Sequence, residues 1–164
     1  MKTICLATRA VCAAALLAGV AACAPDADAP TQAEPRAVAN AGLTVSNARI
    51  VLAPVAGNPA AAYFDLSYNG KSGVSLTGVE VEGAGMTMIH DYANTGGKAQ
   101  MVMADSVPLT EGAPVTFAPG GLHVMAMEPT DALKPGGTAR LTLILSDQTK
   151  VTVDAPVKAA GDER

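Results

Sequence analysis

From residue 43 onward the chain reads as β-strands, with runs in which apolar and polar residues alternate with a period of two. That period puts successive side chains on opposite faces of a strand. The clearest run is Ala62, Phe64, Leu66 and Tyr68, interleaved with Tyr63, Asp65 and Ser67 and ended by Asn69-Gly70. Residues 43–52 precede it, with Val45 and Ile50 as β-formers, and a loop over 54–59 containing Gly57-Asn58 divides the two. Residues 74–82 alternate again until Gly83-Ala84-Gly85 breaks the run. A loop over 94–98 with Gly96-Gly97 leads into a short strand over 99–104. Pro119-Gly120-Gly121 is a tight turn that delivers His123 to the start of another strand. Residues 139–145 and 150–153 form a last pair joined near Ser146-Asp147, and 129–137 has room for no more than a turn of helix. The expected fold is all-β: about seven to nine short antiparallel strands in a Greek-key sandwich or barrel.

The residues before this pattern read differently. Lys2, Arg9 and an apolar run over 10–22 form a leader too short to span a bilayer permanently. Val20-Ala21-Ala22-Cys23 resembles a bacterial lipobox, in which the cysteine is acylated and becomes the new N-terminus. The alternative is ordinary signal cleavage near Ala22 or Ala24. Four segments are expected: a lipoprotein signal peptide over 1–22, lipidated Cys23 with an Ala/Pro-rich flexible linker over 23–42, a folded domain over 43–157, and a polar tail over 158–164. Such a chain is exported to the periplasm and tethered to a membrane by its lipid.

Composition narrows the chemistry. All three cysteines, Cys5, Cys12 and Cys23, precede the domain, which excludes disulfide, C-x-x-C and thiolate chemistry within it. With two Phe, three Tyr and no Trp, the core must come mainly from Val, Leu, Ile, Ala and Met. Without Lys2 and Arg9 the chain keeps nine basic against fifteen acidic residues, a net charge of −6. That balance argues against nucleic acid and against a basic membrane-binding patch.

Methionine and histidine are concentrated between residues 86 and 127. That stretch holds six of the seven methionines and both histidines. They fall in three M-x-M pairs, two of them extended by histidine at the same step: Met86-x-Met88-x-His90, Met101-x-Met103 and His123-x-Met125-x-Met127. On strands, each set shares a face. Thioethers are soft, neutral donors and imidazole is intermediate, so this set favours Cu(I). The aligned positions lack the carboxylates that Ca²⁺ and Mg²⁺ need, and the domain lacks the thiolate of a blue-copper site. Methionine is also a common core filler, so each pair taken singly reads more readily as a buried sheet face than as ligands; the two histidines in register with methionines are what turn the reading towards metal. With both histidines in register with methionines, a Ser-His-Asp or Cys-His catalytic arrangement is not expected, and the chain is read as a binding protein, not an enzyme.

The spacing His90, ten residues, Met101, twenty-one residues, His123, one residue, Met125 resembles the H-x10-M-x21-H-x-M signature of the periplasmic copper chaperones called PCu(A)C. Ala61-Ala62-Tyr63-Phe64, Pro119-Gly120-Gly121 and Leu141-Thr142-Leu143 are similar to that family too. The resemblance covers residues 43–157. It implies a cupredoxin-like sandwich with His90, Met101, His123 and Met125 as Cu(I) ligands. It leaves Met88, Met103 and Met127 around them, Met127 being expected nearest the metal, and Met86 in packing. It further implies delivery of copper towards the cytochrome c oxidase copper subunit or a Sco-type protein. Two positions depart from the family: Asn47-Ala48-Arg49 keeps the Arg of Trp-x-Arg but not the Trp, and Asp91 stands where Glu is common. A copper buffer or tolerance protein, or a structural sandwich lipoprotein with a methionine-rich core, are the competing functions.

Overall fold

The structure, a computed structural model, describes residues 38–162. The expected leader over 1–22, Cys23 and most of the linker lie outside the described residues, as do the last two residues of the tail. Eleven strands follow in chain order: β1 Val38–Asn40, β2 Leu43–Val51, β3 Ala60–Tyr68, β4 Ser75–Val81, β5 Ala84–Thr95, β6 Lys98–Met103, β7 Val107–Pro108, β8 Val115–Phe117, β9 His123–Pro129, β10 Thr138–Leu145 and β11 Lys150–Lys158. No helix occurs among the described residues. The count exceeds the expected seven to nine because β1, β7 and β8 have three, two and three residues. Runs that short carry no readable period.

The hydrogen-bonded order is β6-β5-β9-β3-β2-β11-β10-β4-β7, with β1 on β2 and β8 on β3. The path curls so that β4 returns to pack against β5, where the Thr87 hydroxyl donates to the Val79 carbonyl. Pairing is antiparallel with one exception. The end of β11 leaves β10, and Val157 and Lys158 run parallel to Ile50 and Val51 of β2. Lys158, expected to begin the polar tail, is therefore part of this strand. Val38–Asn40, expected within the linker, likewise pair with β2 across a two-residue turn in which Ala41 and Gly42 have φ of 51° and 80°. Left-handed φ at both central residues fits the right-handed twist of a hairpin.

The core is a single cluster built around Phe64, Phe117, Leu43, Ile50, Leu66, Leu76, Leu141, Leu143 and Leu145. Alternation accounts for it: β10 and β11 bury every second residue. Among the described residues no methionine belongs to the buried core. The expectation that Met helps to fill it is corrected, and the methionine-rich-core reading loses its premise. The inward face of β5 and β9 is supplied by Ile89, Val124 and Ala126, and the methionines take the other face.

Candidate metal centre

Strands β6, β5 and β9 form one end of the sheet path, and their register brings the methionines and histidines together. Across β5 and β9, His90 faces His123, Met88 faces Met125 and Met86 faces Met127. Across β5 and β6, His90 faces Met103 and Tyr92 faces Met101. With a two-residue step, all nine side chains lie on the same outward face. The β5–β6 hairpin depends on Gly96-Gly97, with φ of 62° and 79°. The expected loop over 94–98 narrows to these two glycines, so β5 runs on to Thr95 and holds the register of Met101 and Met103.

Three of the four expected ligands are in direct contact. The His90 and His123 rings meet edge to face at 5.7 Å, and His90 Nδ1 lies 3.2 Å from Met101 Sδ. Bonds of about 2.0 Å to nitrogen and 2.3 Å to sulfur would put two donors of one tetrahedral ion about 3.5 Å apart, so this pair needs little movement to share a metal. Met125 sits on the same face, one side-chain step beyond His123 and half-buried. Of the surrounding methionines, Met88 and Met103 lie directly opposite expected ligands, whereas Met127 is a step further along β9. Met127, expected nearest the metal, lies opposite Met86 and not opposite an expected ligand.

The histidines are prepared by different means. His123 is 5% exposed, and its Nδ1 lies 2.8 Å from the Gly121 carbonyl. A carbonyl can only accept, so Nδ1 carries the proton and Nε2 presents its lone pair to the face. The Pro119-Gly120 turn sets this up. Gly120 has φ of 83°, and Gly121 N donates to Ala118 O at 3.1 Å; both are features of a type II turn. For His90, burial and then the facing His123 push the pKa below the ordinary histidine value of 6.5, favouring the neutral ring that can ligate.

Met103 is 62% exposed, Met86 53%, Met101 46% and Tyr92 40%. Burying a side chain of this size would be worth about 1.5–3 kcal/mol, so leaving several together on one face forgoes appreciable stability. A contiguous apolar patch of this kind marks a site of interaction. Its atoms are also the only soft donors among the described residues.

The family described as “Putative lipoprotein LpqE-like” matches over residues 43–157. The chain belongs to this family. A relative, “Putative lipoprotein Lxx21020” of Leifsonia xyli subsp. xyli, is 29% identical over 151 residues, spanning 92% of this chain and 89% of its own. The copper-bound PCuAC domain of PmoF2 superimposes with a TM-score of 0.62 at 22% identity, over 76% of this chain and 98% of that domain. The solution structure of Cu(I)-DR1885 from Deinococcus radiodurans gives 0.59 at 26%, over 79% of this chain and 85% of that one. The LpqE-like chain therefore has the cupredoxin-like β fold of PCuAC domains.

Within this LpqE-like domain the two departures have local explanations. Asn47 adopts φ of 53° at a bulge between Ser46 and Arg49, and its Nδ2 donates to Asp65 at 2.7 Å. The retained Arg49 places its guanidinium 4.9 Å from the Tyr63 ring centre, a cation–π contact. Asp91, one step out of phase with His90, accepts from Tyr92 N at 2.8 Å. Sequence reasoning missed Tyr92, whose ring lies 5.7 Å from that of His123. The signal was present: Tyr92 continues the step from Met88 through His90.

Proposed function

We propose that this LpqE-like chain is an exported, lipid-anchored Cu(I) carrier that hands copper on by ligand exchange. Its cargo is held by His90, Met101, His123 and Met125. The observation that carries this reading is the convergence of His90, His123 and Met101 on one outward face, with His123 Nε2 left free. Cysteine-free soft donors fit Cu(I) better than zinc or a hard cation. The lipobox-like Val20-Ala21-Ala22-Cys23 and the lipoprotein name of the Leifsonia relative support the anchor and an address outside the cytoplasm. The Cu(I) form of DR1885 supports the cargo.

Two neutral imidazoles and two thioethers leave a bound Cu(I) with its single positive charge. No thiolate makes the complex hard to reverse, and the exposed Met101 can be displaced first. Release to an acceptor therefore proceeds through shared-ligand intermediates, with the cytochrome c oxidase copper centre or a Sco-type protein as the acceptor class. Exposure of the donor face favours delivery over simple buffering. The test is transfer: Cu(I)-loaded chain mixed with a reduced dithiol peptide loses its metal within the mixing experiment, whereas retention against excess dithiol overturns the carrier reading.

Protons compete with Cu(I) for the imidazoles, so the lowered pKa of His90 sets a pH window. With its pKa below 6.5, the His90 ring is mostly neutral at that pH, and its own contribution to affinity is lost as pH falls below that ordinary value. Competitive titration across this range checks the sign. A pH dependence left unchanged by His90→Ala would contradict the role of His90.

A further inference from the structure

We propose a second soft-metal site on the same face, formed by the thioethers of Met86, Met88 and Met127. Its ligand is a monovalent soft cation, Cu(I) or Ag(I). This extends the copper reading of the face but uses none of the four ligands already assigned. Met86 faces Met127 directly across the β5–β9 ladder, and Met88 follows Met86 by one side-chain step on β5. Directly opposed Cβ atoms lie about 4.5–5.5 Å apart, and side chains two residues apart on a strand about 7 Å apart. Methionine has three rotatable bonds beyond its Cα, so three sulfurs placed this closely can converge on one trigonal ion.

Burial and donor type agree with a site. Met86 is exposed, while Met88 and Met127 are half-buried, so two donors are held by neighbours and the third is free to close. The three methionine positions contain no carboxylate, imidazole or thiolate, which disfavours Ca²⁺, Mg²⁺ and zinc there. The nearby Glu128 carboxylate packs against Gly85, with 2.6 Å between Oε2 and the place a Cβ would take, out of phase with Met86 and Met127 in the ladder, so the site is built from neutral donors alone.

The two sites can be filled together. Three residues of strand separate the His90–His123 row from the centre of the Met86–Met88 step, about 10 Å. At that distance in water, two single charges alter each other's affinity by about twofold at most. The opposed pair Met88 and Met125 lies between the two positions and provides thioethers at both ends of the interval.

The experiment uses the full chain with Cys5→Ser, Cys12→Ser and Cys23→Ser, labelled at the methionine methyls and titrated with Ag(I) as a redox-inert probe. Two equivalents are expected. The first shifts the Met101 and Met125 methyls, and the second shifts those of Met86, Met88 and Met127. Combining Met86→Leu, Met88→Leu and Met127→Leu should weaken the second equivalent by at least about tenfold and leave the first within about threefold. The swaps nearly conserve volume on an outward face, so the fold is retained. Movement of Met86, Met88 and Met127 without Met101 and Met125 would support this site while overturning the four-ligand reading. Saturation at one equivalent, or a second ion that leaves these three methyls unmoved, would overturn the second site while the four-ligand reading stands.

Discussion

Alanine at both His90 and His123 is expected to raise the apparent Kd for Cu(I) by at least about a hundredfold. Removing a group that merely orients a metal ligand already costs about 10–100-fold, and this double variant removes two ligands outright. The loss should not be one of folding. His90 contributes an outward, half-buried ring, and Gly121, whose carbonyl loses the His123 Nδ1 bond, is only half-buried, so water can replace that partner. Met101→Leu and Met125→Leu are each expected to cost about tenfold, since two imidazoles and one thioether still make a serviceable three-coordinate set for Cu(I). The measurement is competition with a Cu(I) chromophore in a background where Cys5, Cys12 and Cys23 are serine, with circular dichroism reporting the fold. Affinity of the double-histidine variant within about threefold of the parent would end the ligand assignment.

How much of this was legible beforehand depended on the length of each signal. Strands β3, β10 and β11 bury apolar residues at every second position over eight or nine residues, and a period of two over that length reads directly as a half-buried strand, whereas the bulge between Ser46 and Arg49 shifts the phase in β2. Strands β1, β7 and β8 are too short to show a period. The parallel contact of Val157 and Lys158 with β2 is a property of how the sheet closes, which no local pattern encodes. For the site, the M-x-M-x-H step was enough to place donors on one face of a strand. It was not enough to say which face was buried, because methionine suits a core and a soft-metal surface equally. Only the partner strands decide that: Ile89, Val124 and Ala126 take the inside, leaving Met86, Met88, His90, Met125 and Met127 outside. The arrangement of the surrounding methionines was hidden for the same reason. Met127 is close to Met125 in sequence, but Met88 and Met103 are the ones opposite expected ligands across the ladder. Register between strands is a tertiary fact, fixed here by Gly96-Gly97 and by the turn before His123.

Phe117→Ala is expected to destabilise the domain by about 3–5 kcal/mol, the usual cost of emptying a buried aromatic position. Phe117 is 1% exposed and stacks on the fully buried Phe64, ring centres 4.3 Å apart. Against a typical domain stability of about 5–15 kcal/mol the loss is severe, and urea unfolding will show it as a lower midpoint. The same substitution should also weaken Cu(I) binding although it removes no ligand. Strand β8 pairs through only three residues, and directly after it Ala118 N donates to Leu122 O at 2.8 Å across the turn that carries Gly121 and His123. Phe117 thus anchors one side of the turn whose Gly121 carbonyl fixes the His123 ring. Without the anchor the turn can shift, the Nδ1 bond loosens, and Nε2 no longer points reliably at the donor face. Met103→Leu is the contrasting case: a near-isosteric change on an exposed face should alter stability by no more than about 0.5 kcal/mol. Under conditions where Phe117→Ala remains folded, binding at the parent's affinity would show that the turn holds His123 without help from the core. Weakened binding, partly restored by Phe117→Leu, would show that the packing of two phenylalanines on the inside of the sheet sets the geometry of a metal site on its outside.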